Sequence, residues 1–209
     1  MPYLRRPTLS IPHPPLERSL CFIDVETTGP EFGFHEIIDV AAIRTPPDGR
    51  HEVGRWSRRV LPGLPERITD RARELNGFDP SLWRGSVEST ADLWSSFARF
   101  VDGCMPVCHN PSFDRSFITL AARATGVLDL GLDYHWIGTE SLAWPLVRRG
   151  LMPVFSLEGI SSRLLGYSEP IPHTALAGAE TCRAVYLALM RLLETVAGFE
   201  VEPSDAGPG

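Results

Sequence analysis

The most constraining feature of this sequence is a pair of acids inside an otherwise apolar strand. The run Leu20-Cys-Phe-Ile-Asp-Val25 has the composition of a central strand, yet Asp24 and Glu26 interrupt it. Strand side chains alternate between faces, so both carboxylates lie on the same face of the sheet. Acids facing solvent at a strand end are the alternative interpretation, but the apolar flanks indicate burial.

Two carboxylates this close repel and raise each other's pKa unless a cation lies between them. Ligand sets made only of oxygen suit Mg²⁺ or Mn²⁺ better than zinc. The pair therefore predicts a divalent-ion site at the end of the first strand.

Composition limits the class of protein. A chain of 209 residues with 43% hydrophobic and 22% charged residues is typical of one soluble domain. A net charge of −6 argues against a broad basic face for nucleic acid, but bound ions would supply local positive charge. The four cysteines lack C-x-x-C spacing, which predicts buried reduced thiols rather than a metal cluster.

The two ends of the chain differ in composition from its centre. Residues 1–18 carry five prolines and are predicted to form an extended arm. Residues 19–199 form the predicted domain, and the Pro/Gly/acidic residues 200–209 a disordered tail. The N-terminal sequence has arginines but no apolar signal region, and no run is long enough to span a membrane, so we expect a cytoplasmic protein.

The order of elements predicts a mixed sheet flanked by helices. Three strands come first, at 20–25, 37–43 and 52–61, and a turn signal at Pro46–Gly49 joins the last two into an antiparallel meander. A fourth strand is predicted at Met105–Cys108. The predicted helices are Glu66–Asn76, Val87–Val101, Ser112–Thr125, Glu140–Arg149, Ser156–Leu165 and Thr174–Ala197.

Two further segments carry candidate chemistry. Asp114 follows the strand that ends at Cys108, where a lone aspartate most often complements a helix dipole. His173 precedes an alanine-rich helix, and a lone histidine is more often structural than catalytic. An acid pair, a third acid and a histidine in this order are much less expected by chance.

The segments F-I-D-V-E-T-T-G, H-N-P-S-F-D and H-T-A-L-A-G-A resemble the three exonuclease motifs of the DEDD superfamily, histidine subtype. This superfamily includes polymerase proofreading subunits and related 3′→5′ exonucleases. The resemblance extends to H-E-I-I-D-V-A-A-I, A-R-E-L-N-G-F, T-E-S-L-A and F-S-L-E-G-I-S-S-R-L-L-G, and it covers residues 20 to about 193. It implies the ribonuclease H-like α/β exonuclease fold, in which an antiparallel meander is followed by parallel strands.

The resemblance also implies a mechanism. Asp24, Glu26 and Asp114 would ligate two Mg²⁺ or Mn²⁺ ions, with Asp24 bridging both and Glu26 holding one. His173 would be the general base that deprotonates the attacking water, a task that suits a side chain titrating near neutrality. The ions would stabilise the attacking and leaving oxygens, and the products would be nucleoside 5′-monophosphates.

Substrate contacts follow from the same resemblance. The backbone at Thr27 and Thr28 would lie against the terminal nucleotide, and His109 is also assigned to the substrate. Leu75 and Phe78 are candidate contacts to the base, although both also suit core positions. The expected substrates are single-stranded DNA or RNA 3′ ends, and a polymerase or a second copy of the chain is a possible partner.

One position departs from the family pattern. The third motif normally has an aspartate five residues after its histidine, where this chain has Gly178. Glu180 is rotated by about 200° along the helix, and Glu169 lies in the preceding loop. The glycine fits a weakened enzyme, a non-catalytic nucleic-acid-binding or partner-binding module, or an introduced substitution. A phosphatase or other hydrolase with a similar acid pair has no support from the second and third motifs.

Overall fold

The structure, a computed structural model, describes residues 17–79, 81, 83 and 86–197; most of the predicted arm and the whole predicted tail lie outside these residues. Within the described residues six strands form one sheet, in the order β4-β3-β2-β1-β5-β6. The strands are β1 Leu20–Thr27, β2 Ile37–Thr45, β3 Gly54–Leu61, β4 Val87–Glu88, β5 Met105–Cys108 and β6 Ile137–Gly138.

The sheet is mixed, as the sequence predicted. β1, β2 and β3 form the antiparallel meander, while β5 pairs parallel with β1 and β6 pairs parallel with β5. The predicted turn after β2 is present: the Gly49 N–H donates to the Pro46 carbonyl at 3.0 Å, and Gly49 has a φ of +70° that favours glycine. The short strands β4 and β6 were not predicted, because two residues carry no periodicity.

Six helices cover the sheet within the described residues: α1 Asp70–Asn76, α2 Ala91–Val101, α3 Pro111–Ala124, α4 Thr139–Arg148, α5 Leu157–Leu165 and α6 Ala175–Ala197. Two of them begin later than predicted, because a threonine caps each start. The Thr69 hydroxyl accepts the Ala72 N–H ahead of α1, and residues 65–67 form a separate 3-10 turn. The Thr90 hydroxyl accepts the Leu93 N–H ahead of α2, which leaves residues 87–88 free to pair with β3.

The two faces of β1 have different neighbours. Cys21, Ile23 and Val25 belong to a core cluster that also contains buried residues of α2 and α3. Leu20 and Phe22 face the other way and share a second cluster with residues of α6. The period of two therefore carries Asp24 and Glu26 onto the face that α6 covers.

Other predictions concern the cysteines and the chain start. All four cysteines are buried free thiols, as expected. Arg18, which the predicted boundary assigned to the arm, is buried and forms an ion pair with Asp133, so it belongs to the folded domain. No described helix combines the length and the hydropathy that a membrane crossing requires.

Candidate active site

The candidate site lies at the carboxyl end of β1. β5 runs parallel to β1, so the helix that follows β5 begins beside this end of the sheet. The Asn110 side chain caps α3 by accepting the N–H groups of Ser112 and Phe113, at 3.1 and 3.4 Å, and Pro111 occupies the first turn. This local structure places Asp114, which is 4% exposed, in the first turn of α3.

A cavity of about 310 Å³ brings the predicted residues together. Its lining includes the three predicted metal ligands and the predicted base, namely Asp24, Glu26, Asp114 and His173. Gly178 and His109 also line it, and the opposite wall comes from the start of α5, at Ser156, Leu157 and Glu158. The four residues therefore share one cavity, although the sequence spreads them over 150 positions.

The electrostatics of this cavity are those of an anionic site. Burial raises the pKa of Asp24 well above its usual value, and the charges of Asp114, Glu26 and Asp39 raise it further. Burial, followed by the charge of Asp39, raises the pKa of Glu26 to about 7. Every neighbouring charge that shifts these two groups is an acid.

Asp114 is also buried, but hydrogen bonds from the protein stabilise its charged form. Burial raises its pKa to about 7, while interactions with its own backbone N–H, the Cys108 side chain and the Val25 backbone N–H act in the opposite direction. In return, burial and the charge of Asp114 raise the pKa of the Cys108 thiol, so this cysteine stays protonated.

These carboxylates fit a hard divalent cation. They are oxygen donors, they are at least partly buried, and the neighbouring charges that raise the pKa values of Asp24 and Glu26 are those of other acids. Within the described residues, no three His, Cys, Asp or Glu side chains converge as placed on one ion position.

Gly178 lies directly over Asp24. A β-carbon at position 178 would be 2.5 Å from the Asp24 Cγ and 2.9 Å from its Oδ1, so the position faces the site as the family spacing implies. The small residues at Ala175, Gly178 and Ala179 let α6 approach β1 this closely. The Asp24 carboxylate thus occupies the space that a side chain at 178 would need.

Two acids near the site were missed by sequence reasoning. Asp39 on β2 lies in register with Glu26, is 6% exposed, and accepts the Ala175 N–H of α6 on Oδ2 at 3.1 Å. Its Oδ1 is buried and has no hydrogen-bond partner among the residues that the structure describes. The signal was an acid in the apolar run I-I-D-V-A-A-I. Glu158, in the cavity wall, had no comparable signal.

The two histidines of the cavity differ. His173 is exposed at the mouth of α6, next to Thr174, whose hydroxyl accepts the Ala177 N–H at 3.3 Å. The two ring nitrogens of His109 are both engaged, with the Thr139 hydroxyl at 2.9 Å and the Phe155 carbonyl at 2.8 Å. His109 therefore links the end of β5 to the start of α4 and to the segment before α5, and only its ring surface is available to a substrate.

The threonine hydroxyls after Glu26 serve the fold. Thr27 Oγ1 donates to the Gly29 carbonyl at 2.7 Å, and Thr28 Oγ1 accepts the Glu36 N–H at 3.0 Å. Both residues are buried. Their backbone groups are engaged as well: the Thr28 N–H donates to the Glu36 carbonyl, and the Thr28 carbonyl accepts the Thr69 N–H, both at 2.9 Å. The predicted nucleotide contact at Thr27 and Thr28 stays a prediction.

The predicted apolar base contacts do not line the cavity. Phe78 is 4% exposed and packs edge-on against Trp83, with ring centroids 5.1 Å apart, in a core cluster with Ile38 and Ile68. Leu75 is partly buried in α1. The structure places Phe78 in the core, the second of the two positions that the sequence allowed.

Comparison with known proteins decides the family. The sequence profile of the exonuclease family named for RNase T matches residues 21–137, more than half of the chain. The chain belongs to this exonuclease family. This confirms the superfamily that the three motifs indicated.

Relatives of this family member include DNA polymerase III of the PolC type from Thermotoga petrophila, 26% identical over 83% of the chain. A DNA polymerase III subunit epsilon-like protein from Rhodobacter capsulatus is 28% identical over 86%. The zinc-bound complex of Escherichia coli exonuclease I with single-stranded DNA has the same fold, with a TM-score of 0.70, 18% identity and 87% coverage. The chain spans only 12%, 25% and 41% of these three proteins, respectively.

Proposed function

We propose that this exonuclease-family domain is a metal-dependent 3′→5′ exonuclease that releases nucleoside 5′-monophosphates from single-stranded ends. The observation that carries the proposal is the convergence of Asp24, Glu26, Asp114 and His173 on one cavity. A phosphodiester placed there meets three acids suited to divalent ions and an exposed imidazole that can accept a proton.

The residues would act as follows. His173 takes a proton from water as its oxygen attacks the terminal phosphorus, and the bond from phosphorus to the 3′ oxygen of the preceding nucleotide breaks. Asp24, Glu26 and Asp114 hold Mg²⁺ or Mn²⁺, which when bound supplies positive charge for the attacking and leaving oxygens. The backbone at Thr27 and Thr28 contacts the terminal nucleotide.

The substrate and partners are proposed from what the relatives and the solved structure are known to be. Exonuclease I, which shares the fold, is known as a complex with single-stranded DNA, and two relatives are DNA polymerase III proteins. We propose single-stranded DNA or RNA ends as substrate and a polymerase or a second copy of the chain as partner. The buried free thiols agree with a cytoplasmic location.

The test is incubation of the protein with single strands labelled at the 5′ end, in Mn²⁺, in Mg²⁺ and in EDTA. We expect stepwise shortening from the 3′ end that requires the ion and is lost in Asp24→Asn and His173→Ala. Glu66→Gln, which changes an exposed acid outside the cavity, is the control. If the labelled strands are not shortened under any condition, the proposed activity is wrong.

Gly178 favours a second candidate, a nucleic-acid-binding module with little turnover. The position that supplies a fourth acid in the family carries no side chain, and Asp24 lies against it. This candidate predicts single-strand binding that persists in EDTA, with no cleavage and no gain from Gly178→Asp.

A further inference from the structure

A pair of exposed, stacked aromatic rings lies next to the cavity lining, because one of the two residues, Phe155, directly precedes Ser156. The rings of Trp144 and Phe155 have centroids 5.5 Å apart and planes inclined by only 13°. Their exposed fractions are 51% and 40%, whereas Trp56, Trp83 and Trp94 are all buried. Single exposed aromatic side chains are common, whereas a contiguous exposed aromatic surface often marks a binding site.

The pair is connected directly to the catalytic cavity. The carbonyl of Phe155 is hydrogen-bonded to His109, which lines the cavity, and the next residue, Ser156, is part of the cavity wall. A strand whose 3′ end lies at Asp24 must leave the cavity over its rim. The stacked rings adjoin the wall that begins at Ser156, and a strand that leaves on this side would meet them.

The segment that carries Phe155 is held in place by the fold. His109 binds its carbonyl, and the neighbouring Val154 packs so closely on Gly159 that a β-carbon at 159 would overlap the Val154 Cγ2. Ser156 caps α5 by accepting the Gly159 N–H at 3.2 Å. A preorganised platform pays little entropy when it binds a flexible strand.

The charge beside the rings suits a phosphate backbone. Arg148 lies four residues after Trp144 on α4, on the same helix face, and Arg149 follows it. Both are exposed, and neither forms an ion pair with a described residue. Aromatic rings next to free cations are the combination that single-strand-binding grooves use.

We propose that Trp144 and Phe155 stack on nucleobases of a single strand whose 3′ end occupies the cavity, and that Arg148 contacts its backbone. The proposal rests on the proposed function, because it takes the cavity to hold the 3′ end. It adds a binding site for the nucleotides upstream of the scissile bond. Stacking does not depend on the base or on the 2′-hydroxyl, so it predicts little sequence preference.

The test measures the affinity of labelled oligonucleotides of one to eight nucleotides, in EDTA so that the strand is not consumed. DNA and RNA are compared, and the tighter ligand is used. Affinity of the unmodified protein should rise with length once the strand reaches the rim. Trp144→Leu and Phe155→Leu should each weaken the affinity for the longer strands by about five- to 150-fold and leave the affinity for the mononucleotide unchanged. Trp144→Tyr should retain most of the affinity for the longer strands, because it keeps an aromatic ring.

Tyr134→Leu is the matched control. Tyr134 is 64% exposed and stacks on His135, but it precedes β6 and lies near Cys104, at the opposite end of β5 from His109. The proposal would be overturned if Tyr134→Leu and Trp144→Leu lost the same amount of affinity for the longer strands, or if neither variant lost any. A change from dimer to monomer in Trp144→Leu with unaltered strand affinity would also overturn it, because the rings would then be a protein interface.

A small chromogenic substrate separates this proposal from the proposed function. The p-nitrophenyl ester of thymidine 5′-monophosphate reaches the acids but not the rim. Its hydrolysis with Mn²⁺ should be the same in Trp144→Leu and in the unmodified protein. If the ester is not cleaved but Trp144→Leu still weakens the binding of long strands, the proposed activity is wrong and the stacking site is retained. If the ester is cleaved and Trp144→Leu binds long strands as tightly as the unmodified protein, only the stacking site is wrong.

Discussion

At the scale of single residues, Gly178 decides how the site can be arranged. Its missing side chain leaves room for the Asp24 carboxylate, which any β-carbon at 178 would displace. An aspartate there would meet a group of the same charge, so the fourth acid of the family pattern and this Asp24 conformation exclude each other. Bound cations would reduce the repulsion between the carboxylates at positions 24 and 178, because they attract both groups.

We therefore expect Gly178→Ala to lower the melting temperature, although helix propensity alone would stabilise it by about 1 kcal/mol. Gly178→Asp should be less stable than Gly178→Ala without metal and should gain most from Mn²⁺, because it adds a ligand. Thermal unfolding with and without Mn²⁺ measures both. A more stable Gly178→Ala would show that Asp24 does not lie against α6.

His109 predicts a pH dependence at the same scale. Burial lowers the pKa of His109. The hydrogen bond to the Phe155 carbonyl and the charge of Glu140 raise this pKa, but their effects are smaller than that of burial. Because the pKa of His109 is lower in the folded protein than in the unfolded chain, the unfolded chain binds more protons in acid. The folded protein therefore loses stability as the pH falls below about 6.5, the unfolded pKa of histidine. The unfolding free energy should fall from pH 7 to pH 5 less steeply in His109→Gln than in the unmodified protein, by urea denaturation. Parallel slopes would contradict this.

At the scale of elements, Asp39 joins β2 to the start of α6. One of its oxygens accepts the Ala175 N–H, two residues after His173. The other oxygen is buried without a hydrogen-bond partner among the described residues. This contact links β2 to the first residue of α6, the helix that the proposed base precedes. The role of Asp39 is to position α6 rather than to contact substrate.

Asp39→Ala should lower the unfolding free energy by about 1.5–3 kcal/mol, the usual contribution of a hydrogen bond to a charged group. Asp39→Asn keeps an acceptor and removes a charge near Glu26, so it should be at least as stable as the unmodified protein without metal. Hydrogen exchange at Ala175 should accelerate only in the alanine variant. Unchanged exchange there would show that Asp39 does not hold the helix.

At the scale of the whole molecule, a buried ion pair ties the start of the chain to the far edge of the sheet. Arg18 precedes β1, and Asp133, whose side chain is 2% exposed, precedes β6. The Asp133 Oδ1 also accepts the His135 N–H at 2.8 Å. Both elements that flank β5 are therefore anchored at the end remote from the cavity.

Arg18→Met should lower the unfolding free energy by about 3–5 kcal/mol, because the buried Asp133 loses its arginine and keeps only its contacts with His135. The double variant Arg18→Met, Asp133→Leu should recover most of that loss, since both charges are then absent. A double-mutant cycle in urea measures the coupling. A cost below about 1 kcal/mol for the single variant would mean that the pair is solvated.

The sequence alone determined the parts of this protein that depend on local periodicity and end signals. Alternation along β1 placed Asp24 and Glu26 on one face, and the segments around Asp114 and His173 marked the starts of two helices. Residues 1–18 and 200–209 remain predictions. The family resemblance joined these segments into one proposed site, which the cavity now supports.

Tertiary structure decided the rest, because periodicity tells which face a side chain takes but not what lies opposite. Strand register brought Asp39 beside Glu26, and packing put Phe78 in the core. The stacking of Trp144 on Phe155 joins an outward helix position to a loop, and no local pattern predicts such a contact. The structural role of Gly178 also depended on the fold. Only the close approach of α6 to β1 shows that the Asp24 carboxylate lies where a side chain at position 178 would be.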